Sequence, residues 1–272
     1  MRHTSWTNRT PRFAPVAWRN YDQDVMVGPR IALVTGASRG IGAATARKLA
    51  EEGCDVAVNY HHNGDAARAV VDQVNDIGQR AVAIQADIGN TDDADRLVRE
   101  TTDQLGGLHV LVNNAGHVAR ATLDELSLAE WRRMMAVTLD GAFVVAQRVA
   151  PFMTDAGWGR IVNVSSLRAM AGYGNGAHYA TAKAGLWGFT KALATELGPH
   201  GVTANTVAPG YTETDITRDA IRTKGDEIRA KIPVGQVAQP EEIGALIAFL
   251  CRDEAGSING ATINANGGLY MD

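Results

Sequence analysis

Apolar residues along the chain fall into short continuous runs, and longer segments of helical period separate these runs. From Arg30 onward, the runs predict strands at residues 31–34, 56–58, 81–85, 110–112, 161–164 and 203–207. Helices are predicted over residues 40–52, 65–77 and 179–197, and every gap between consecutive strands is long enough for a crossover helix. Continuous apolar runs are typical of a parallel sheet that is covered on both faces. The pattern therefore predicts an α/β fold with helices on both faces of the sheet.

A glycine-rich turn joins the first predicted strand to the first predicted helix. Residues 35–42 read Thr-Gly-Ala-Ser-Arg-Gly-Ile-Gly. The first glycine permits a tight turn, the second lets backbone amides approach a pyrophosphate, and the third allows the helix to pack closely on the sheet. The helix N-terminus adds unpaired N–H groups and a partial positive charge. A glycine turn without a ligand is the alternative. We predict a doubly wound fold of Rossmann type that binds a dinucleotide through Gly36, Ser38, Arg39, Gly40, Ile41 and Gly42.

The end of the second strand bears on the choice between the two nicotinamide dinucleotides. In NAD-binding versions of this fold, a carboxylate about 20 residues after the glycines accepts hydrogen bonds from the ribose 2′-hydroxyl. Residues 58–63 here read Val-Asn-Tyr-His-His-Asn and contain no acid. Arg39 offers a guanidinium group to a 2′-phosphate, and Asn59, Tyr60 or His61 can add donors. We therefore predict NADP(H) as the cofactor. A solvated Arg39 without a ligand is the alternative.

A tyrosine and a lysine stand one helical turn apart near the start of the predicted helix at 179–197. Tyr179 and Lys183 lie on one face and can act together. A tyrosine with its ordinary pKa of about 10 exchanges protons poorly near neutral pH, and a nearby cation favours the phenolate. Partial burial is required, because an ion pair at about 4 Å is worth only about 1 kcal/mol in bulk water. Ser166 follows the strand at 161–164, and its hydroxyl can hold a substrate oxygen. The combination predicts hydride transfer between a nicotinamide and a carbonyl or alcohol carbon.

Length and composition narrow the remaining possibilities. The 272 residues are 45% hydrophobic, which fits one catalytic domain at residues 30–272 after an extension at 1–29. The extension is a mis-assigned start, a flexible arm or a subunit contact. A net charge of −4 argues against a nucleic-acid partner, and no apolar run is long enough for a signal peptide or a membrane span. Cys54 and Cys251 lie in apolar stretches, which predicts buried free thiols in a cytoplasmic protein. Neither His61-His62 nor any other cluster has zinc-ligand spacing, so we predict no metal.

From about Arg30 to its C-terminus, the chain resembles the short-chain dehydrogenases/reductases. The resemblance is carried by the glycine turn, by Ser166, Tyr179 and Lys183, by the Asn-Asn-Ala-Gly motif at 113–116, and by Asp87 and the Pro-Gly pair at 209–210. It implies that residues 113–116 line the cofactor, that Asp87 contacts the adenine region and that residues 209–214 hold the nicotinamide carboxamide. Lys183 would also bind the nicotinamide ribose. The cofactor contacts implied in this way are Asp87, Ile88, Asn114, Ala115, Gly116, Tyr179, Lys183, Pro209, Gly210, Thr212 and Thr214.

One position departs from the family pattern. Thr138 stands where the family usually has an asparagine that helps to hold a water connecting the lysine to solvent. The asparagine acts partly through its backbone carbonyl, which a threonine retains. We therefore expect Thr138 to belong to the catalytic group, with a proton relay that is altered rather than abolished.

The resemblance is greatest to the 3-oxoacyl-thioester reductases, at residues 175–179 and 266–271. Reductases that act on acyl carrier protein tend to present arginines where this chain has Gly157 and His200. This difference weakens the interpretation that the substrate is bound to a carrier protein. Two others stay open, an NAD(P)-dependent sugar, polyol or secondary-alcohol dehydrogenase and a non-catalytic nucleotide-sensing or scaffold protein. We expect residues 211–233 to form a lid that selects a small carbonyl or alcohol substrate. The family also implies a homo-oligomer, a tetramer or a dimer, assembled through helices around residues 126–151 and 179–197.

Overall fold

Seven parallel strands form one sheet in the computed structural model, which describes residues 28–172 and 174–271. The predicted extension at 1–29 lies outside this range apart from Gly28 and Pro29. The strand order is β3-β2-β1-β4-β5-β6-β7, and every neighbouring pair is parallel. The strands are β1 (Ile31–Val34), β2 (Asp55–Tyr60), β3 (Ala81–Gln85), β4 (Val110–Asn113), β5 (Gly159–Val164), β6 (Val202–Pro209) and β7 (Thr262–Ala265).

Helices cover both faces of the sheet, as predicted. The helices are α1 (Gly40–Glu51), α2 (Gly64–Ile77), α3 (Thr91–Leu105), α4 (Leu128–Met135), α5 (Gly141–Ala156), α6 (Leu167–Ala171), α7 (Ala177–Leu197), α8 (Arg218–Arg229) and α9 (Pro240–Leu250). The buried core on one face includes residues of α1, α2 and α9, and the core on the other includes residues of α3, α5 and α7. Consecutive residues of β1 belong to opposite cores, because strand side chains alternate between faces. This arrangement confirms the doubly wound α/β fold.

Two further sequence expectations can be checked against the described residues. Cys54 and Cys251 are both buried free thiols, as predicted. Burial raises the pKa of the Cys54 thiol to about 11, with the positive charge of Arg30 acting in the opposite direction. None of the helices within 28–172 and 174–271 is long and apolar enough to cross a membrane.

The segment between β4 and β5 differs most from its predicted form. The helix expected around 126–151 is α4, a π-helical turn at Ala136–Asp140 and α5, which continues past Pro151 to Ala156. A close approach accompanies the π-helical turn, because a Cβ at Gly141 would lie 2.6 Å from the carbonyl oxygen of Ile88. Strand β7 and the short helix α6 were not predicted. The half-buried sequence of β7, Thr-Ile-Asn-Ala, lacks the continuous apolar run of the other strands.

Candidate active site

The candidate site lies at the carboxyl ends of β1 and β4, where the strand order changes direction. Asn114 links the two strand ends, because its side-chain amide donates to the carbonyl oxygens of Thr35, at 2.9 Å, and Gly36, at 3.1 Å. The hydroxyl of Thr35 accepts hydrogen bonds from the backbone N–H groups of Asn114 and Ala115. This is the crevice at which doubly wound proteins bind ligands.

The glycines of the first turn are required by its geometry. Gly36 and Gly40 have φ angles of +62° and +54°, which residues with a side chain rarely adopt. A Cβ at Gly36 would lie 2.9 Å from the Cα of Ala115. At Gly42 a Cβ would lie 2.5 Å from the carbonyl oxygen of Gly36 and 2.6 Å from Nδ2 of Asn114. The sequence motif therefore brings α1 and its turn into close contact with β4.

The N-terminus of α1 differs from those of the next two helices. Asn63 and Asn90 cap α2 and α3 with side-chain oxygens that accept backbone N–H groups. No side chain caps α1, whose N-cap residue is Arg39. A helix N-terminus without a side-chain acceptor offers N–H groups and a partial positive charge to an anion. The turn and the start of α1 therefore fit the phosphates of a dinucleotide.

Asn59, predicted to donate to a 2′-phosphate, instead supports the glycine turn. Its Oδ1 accepts the N–H of Gly36 at 3.0 Å, and its Nδ2 donates to the carbonyl oxygen of Ala86 at 3.2 Å. The side chain is buried and held by the backbone on both sides. Tyr60 and His61 remain at the end of β2 as candidate donors. Arg39 approaches Asp215 across the cleft, with Nη1 3.6 Å from Oδ2.

Asp87 lies beyond the end of β3 and is fixed by its neighbours. Its Oδ2 lies 3.0 Å from Nη1 of Arg133 and 3.8 Å from Nε2 of His61, and its Oδ1 accepts the N–H of Gly89 at 2.9 Å. Desolvation raises the pKa of this carboxyl, but the hydrogen bonds from Gly89 and Arg133 outweigh it and hold the pKa below its usual value. Asp87 is therefore an ionised hydrogen-bond acceptor on the cavity wall, where the family pattern predicts a contact with adenine.

Ser166, Tyr179 and Lys183 all line the cleft. Ser166 is the N-cap of α6, and its Oγ accepts the N–H of Arg168 at 3.2 Å. Because the hydroxyl accepts this bond, its own proton stays available for donation to a substrate oxygen. Tyr179 is half-buried in the first turn of α7, and Lys183 follows one turn later. The three side chains come from the end of β5 and the start of α7, as their sequence positions predicted.

Lys183 is held beneath the cleft by contacts at both ends of the residue. Its Nζ donates to the carbonyl oxygen of Val164 at 2.6 Å. Its own carbonyl accepts the hydroxyl of Ser165 at 2.8 Å, and Nε1 of Trp187 donates to the same serine oxygen at 2.9 Å. Burial lowers the pKa of Lys183 from 10.5 to about 8, because the ammonium ion is removed from water. The charged form of this lysine is therefore costly, and it persists up to about neutral pH.

Thr138 lies in the π-helical turn, behind the wall of the cleft. It is buried, and its Oγ1 lies 3.7 Å from Sδ of Met134 in hydrogen-bonding geometry. A Cβ built on Gly116 would be 3.9 Å from this hydroxyl and 3.4 Å from Nζ of Lys183. Gly116 thus lies beside both residues, although Thr138 does not line the cleft itself.

These elements enclose a cavity of about 590 Å³. A protein-family model described as "Enoyl-(Acyl carrier protein) reductase" matches residues 36–270. The chain is 42% identical over 243 residues to the 3-oxoacyl-[acyl-carrier-protein] reductase of Synechocystis sp., with 89% of this chain and 97% of the relative covered. It is also 42% identical over 243 residues to the acetoacetyl-CoA reductase of Allochromatium vinosum, covering 89% and 99%. A crystal structure of a short-chain dehydrogenase from Burkholderia cenocepacia in complex with NADP matches with a TM-score of 0.83 and 37% identity, covering 89% and 98%. The chain belongs to the short-chain dehydrogenase/reductase family.

The predicted site residues of this short-chain dehydrogenase/reductase gather around one cavity. Thr138 lies behind the wall, and Asn113, which the resemblance placed beside the cofactor, is not among the lining residues either. The side chain of Asn113 points into the core, where its Nδ2 donates to Oδ1 of Asn163 at 2.9 Å. The predicted residues on the cavity wall are Gly36, Ser38, Arg39, Gly40, Ile41, Gly42, Asn59, Tyr60, His61, Asp87, Ile88, Asn114, Ala115, Gly116, Ser166, Tyr179, Lys183, Pro209, Gly210, Thr212 and Thr214.

Several residues on the cavity wall of this oxidoreductase were not predicted. His117 and Val118 follow the Asn-Asn-Ala-Gly motif, and Nε2 of His117 lies 2.7 Å from Oε1 of Glu130 on α4. Arg133 approaches from the same helix. Asp215 and Ile216 also line the cavity, and they belong to the segment 211–233 that was predicted to select the substrate. His117 and Val118 could have been predicted from their position shortly after the end of a strand, where residues of this fold contact ligands. Arg133 had no such signal, because its contact with Asp87 joins parts of the chain that are 46 residues apart.

Proposed function

We propose that this chain is an NADP(H)-dependent reductase that converts the carbonyl group of a 3-oxoacyl thioester, or of a related ketone, to an alcohol. The proposal rests mainly on one observation: Ser166, Tyr179 and Lys183 line the same cavity as the glycine turn. The absence of an acid at residues 58–63 supports NADP(H) over NAD(H). The two reductases to which the chain is 42% identical are named for acyl-carrier-protein and CoA thioesters of this kind.

The protein groups have distinct tasks in the reduction. The hydroxyls of Ser166 and Tyr179 hold the substrate oxygen, and the proton of Tyr179 passes to that oxygen as it gains negative charge. When bound, the reduced nicotinamide supplies the hydride, which brings the electron pair to the carbonyl carbon. The ammonium of Lys183 stabilises the phenolate that Tyr179 becomes, until a proton from solvent restores the phenol. Thr138, beside Gly116, belongs to the group through which we expect that proton to arrive.

The cofactor contacts follow from the walls of the cavity. The turn at Gly36 to Gly42 would hold the pyrophosphate, and Arg39 with Tyr60 and His61 would surround the 2′-phosphate. Asp87 would accept a hydrogen bond from the adenine. Pro209 to Thr214 would hold the nicotinamide carboxamide against the catalytic end.

We also propose that the enzyme is a cytoplasmic homo-oligomer, a dimer or a tetramer. Buried free thiols at Cys54 and Cys251 agree with a reducing compartment. On α5, Phe143 and Phe152 are 47% and 40% exposed, which gives this helix apolar surface that a second copy can cover. Size-exclusion chromatography with light scattering tests the assembly, and a monomeric mass would contradict it.

The function is tested by the loss of reduced-nicotinamide absorbance when NADPH, and then NADH, is mixed with acetoacetyl-CoA, an acetoacetyl carrier protein, simple ketones and sugar-derived ketones. We expect NADPH consumption with acetoacetyl-CoA, and loss of most activity in Tyr179→Phe with cofactor binding near that of the unchanged protein. Oxidation of sugars or polyols with no ketone reduction would favour the dehydrogenase alternative. Turnover retained in Tyr179→Phe would refute the catalytic assignment.

A further inference from the structure

Two adjacent histidines lie at the proposed 2′-phosphate end of the cavity, and the proposed chemistry makes no use of their ionisation. His61 and His62 form the turn between β2 and α2, with ring centroids 3.6 Å apart and planes inclined by 36°. Both line the cavity, and the side chain of His61 is 41% exposed. The pair is therefore open to solvent and to any group that occupies this end of the cavity.

Four carboxylates on the elements around this end of the cavity are each paired with an arginine. Asp87, beyond β3, is paired with Arg133 of α4, and its Oδ2 also lies 3.8 Å from Nε2 of His61. The remaining pairs are Asp93 with Arg96 on α3, Asp65 with Arg68 on α2, and Asp215 with Arg39 across the cleft. Arginine stays charged at all relevant pH values, and hydrogen bonds hold the pKa of the Asp87 and Asp93 carboxyls below its usual value. Unlike the guanidinium groups of these arginines, an imidazole carries a positive charge only when it is protonated.

We propose that His61 and His62 make the preference for NADP(H) over NAD(H) depend on pH, because their protonated forms bind the 2′-phosphate. The inference rests on the proposed NADP(H)-dependent function and adds to it the residues that set cofactor preference. Histidine changes charge between about pH 5 and 8. NADPH and NADH differ in the 2′-phosphate, so a positive charge on the pair stabilises the bound form of NADPH and leaves NADH unaffected.

The 2′-phosphate also titrates, and its effect has the opposite direction. A phosphate monoester gains its second negative charge with a pKa of about 6, which strengthens its attraction to Arg39 as the pH rises. The total pH dependence of NADPH binding is thus a sum of two opposing contributions. A variant that lacks both imidazoles and keeps Arg39 isolates the contribution of the histidines.

The test is the ratio of dissociation constants, Kd(NADH)/Kd(NADPH), at about pH 6 and about pH 8. Nicotinamide fluorescence on binding gives both constants without substrate, and the ionic strength is kept low and constant because exposed charges are screened by salt. Three proteins are compared: the unchanged full chain, the double variant His61→Gln/His62→Gln, and His200→Gln. The last is a matched control, because His200 is an exposed histidine outside the cavity. Raising the pH should lower this ratio in the unchanged protein and in His200→Gln. The fall in these two proteins should be about five times as large as the fall in the double variant.

Each result has a distinct meaning. The same pH dependence in the unchanged protein and the double variant, with NADPH preferred in both, would overturn this inference and leave the proposed function intact. Equal affinity for NADPH and NADH at both pH values would overturn the NADP(H) assignment itself, and the inference with it. Circular dichroism shows whether the double variant is folded, and both substitutions lie in an exposed turn that a glutamine can occupy.

Discussion

Replacing Lys183 with methionine should raise stability and remove catalysis. The lysine is 4% exposed, and its ammonium donates to the carbonyl oxygen of Val164. Methionine has a flexible, apolar side chain that can fill much of the volume of the lysine stem. The variant therefore removes a buried charge and keeps most of the packing around the stem. We expect it to lose most turnover, because the phenolate of Tyr179 would have no cation beside it.

The effect on stability can be worked out from the pKa of Lys183. Burial lowers it from 10.5 to about 8, which corresponds to about 3 kcal/mol against the charged form in the folded protein. Below about pH 8, the folded protein bears this whole cost. Between about pH 8 and pH 10.5, the unfolded chain binds more protons at this position than the folded protein does, so the free energy of unfolding rises with pH. Methionine has no such dependence.

The measurement is urea denaturation of both proteins at about pH 7.5 and about pH 9.5. The free energy of unfolding of the unchanged protein, minus that of Lys183→Met, should rise by about 2 kcal/mol across this interval. Lys191→Met removes an exposed lysine from the same helix and serves as the control, with a difference that stays flat. A flat difference for Lys183→Met as well would refute the reasoning, because the lysine would then ionise alike in both states.

Three further changes test other parts of the structure. Gly42→Ala should destabilise by more than about 2 kcal/mol in urea denaturation, because its Cβ would overlap Gly36, whereas Gly188→Ala on α7, with open space around it, should stabilise by up to about 1 kcal/mol. Asp215→Asn should tighten NADPH binding about threefold at low salt by freeing Arg39, with NADH binding and the control Asp219→Asn unchanged in fluorescence titrations. His178→Leu should raise the free energy of unfolding by about 1 kcal/mol, because the ring is buried and neither nitrogen has a hydrogen-bond partner among the described residues; a loss of stability would point to a partner for the ring.

The fold and most of the site could be predicted because their signals are local. Apolar runs located six of the seven strands, and the glycines at 36, 40 and 42 follow directly from a tight turn with positive φ and close packing. Tyr179 and Lys183 are one helical turn apart, so a single helix places them together. In each case the residues concerned are near one another in sequence, and simple periodicity fixes their relative position.

The role of Asn59 could not be predicted for the opposite reason. Its amide is held between the glycine turn and the end of β3, and these contacts depend on how three neighbouring strands end. The sequence showed a polar residue after a strand, which is equally typical of a ligand contact and of a structural one. The same ambiguity applies to His61, for which the structure adds exposure and a position on the cavity wall.

The arrangement of Ser165 and Ser166 shows how chemistry at this site depends on residues without a catalytic signature. The two serines are adjacent, yet one hydroxyl bonds Trp187 and the carbonyl of Lys183, whereas the other caps α6 beside the cleft. Adjacent side chains diverge in extended backbone, so one serine after β5 contacts α7 and the next faces the cleft, where we propose that it binds the substrate. Ser165 and Trp187 thereby fix the position of α7 relative to β5, and with it the distance of the Lys183 ammonium from the phenol. A residue buried beneath the cleft thus sets the geometry on which the proposed proton transfer by Tyr179 depends.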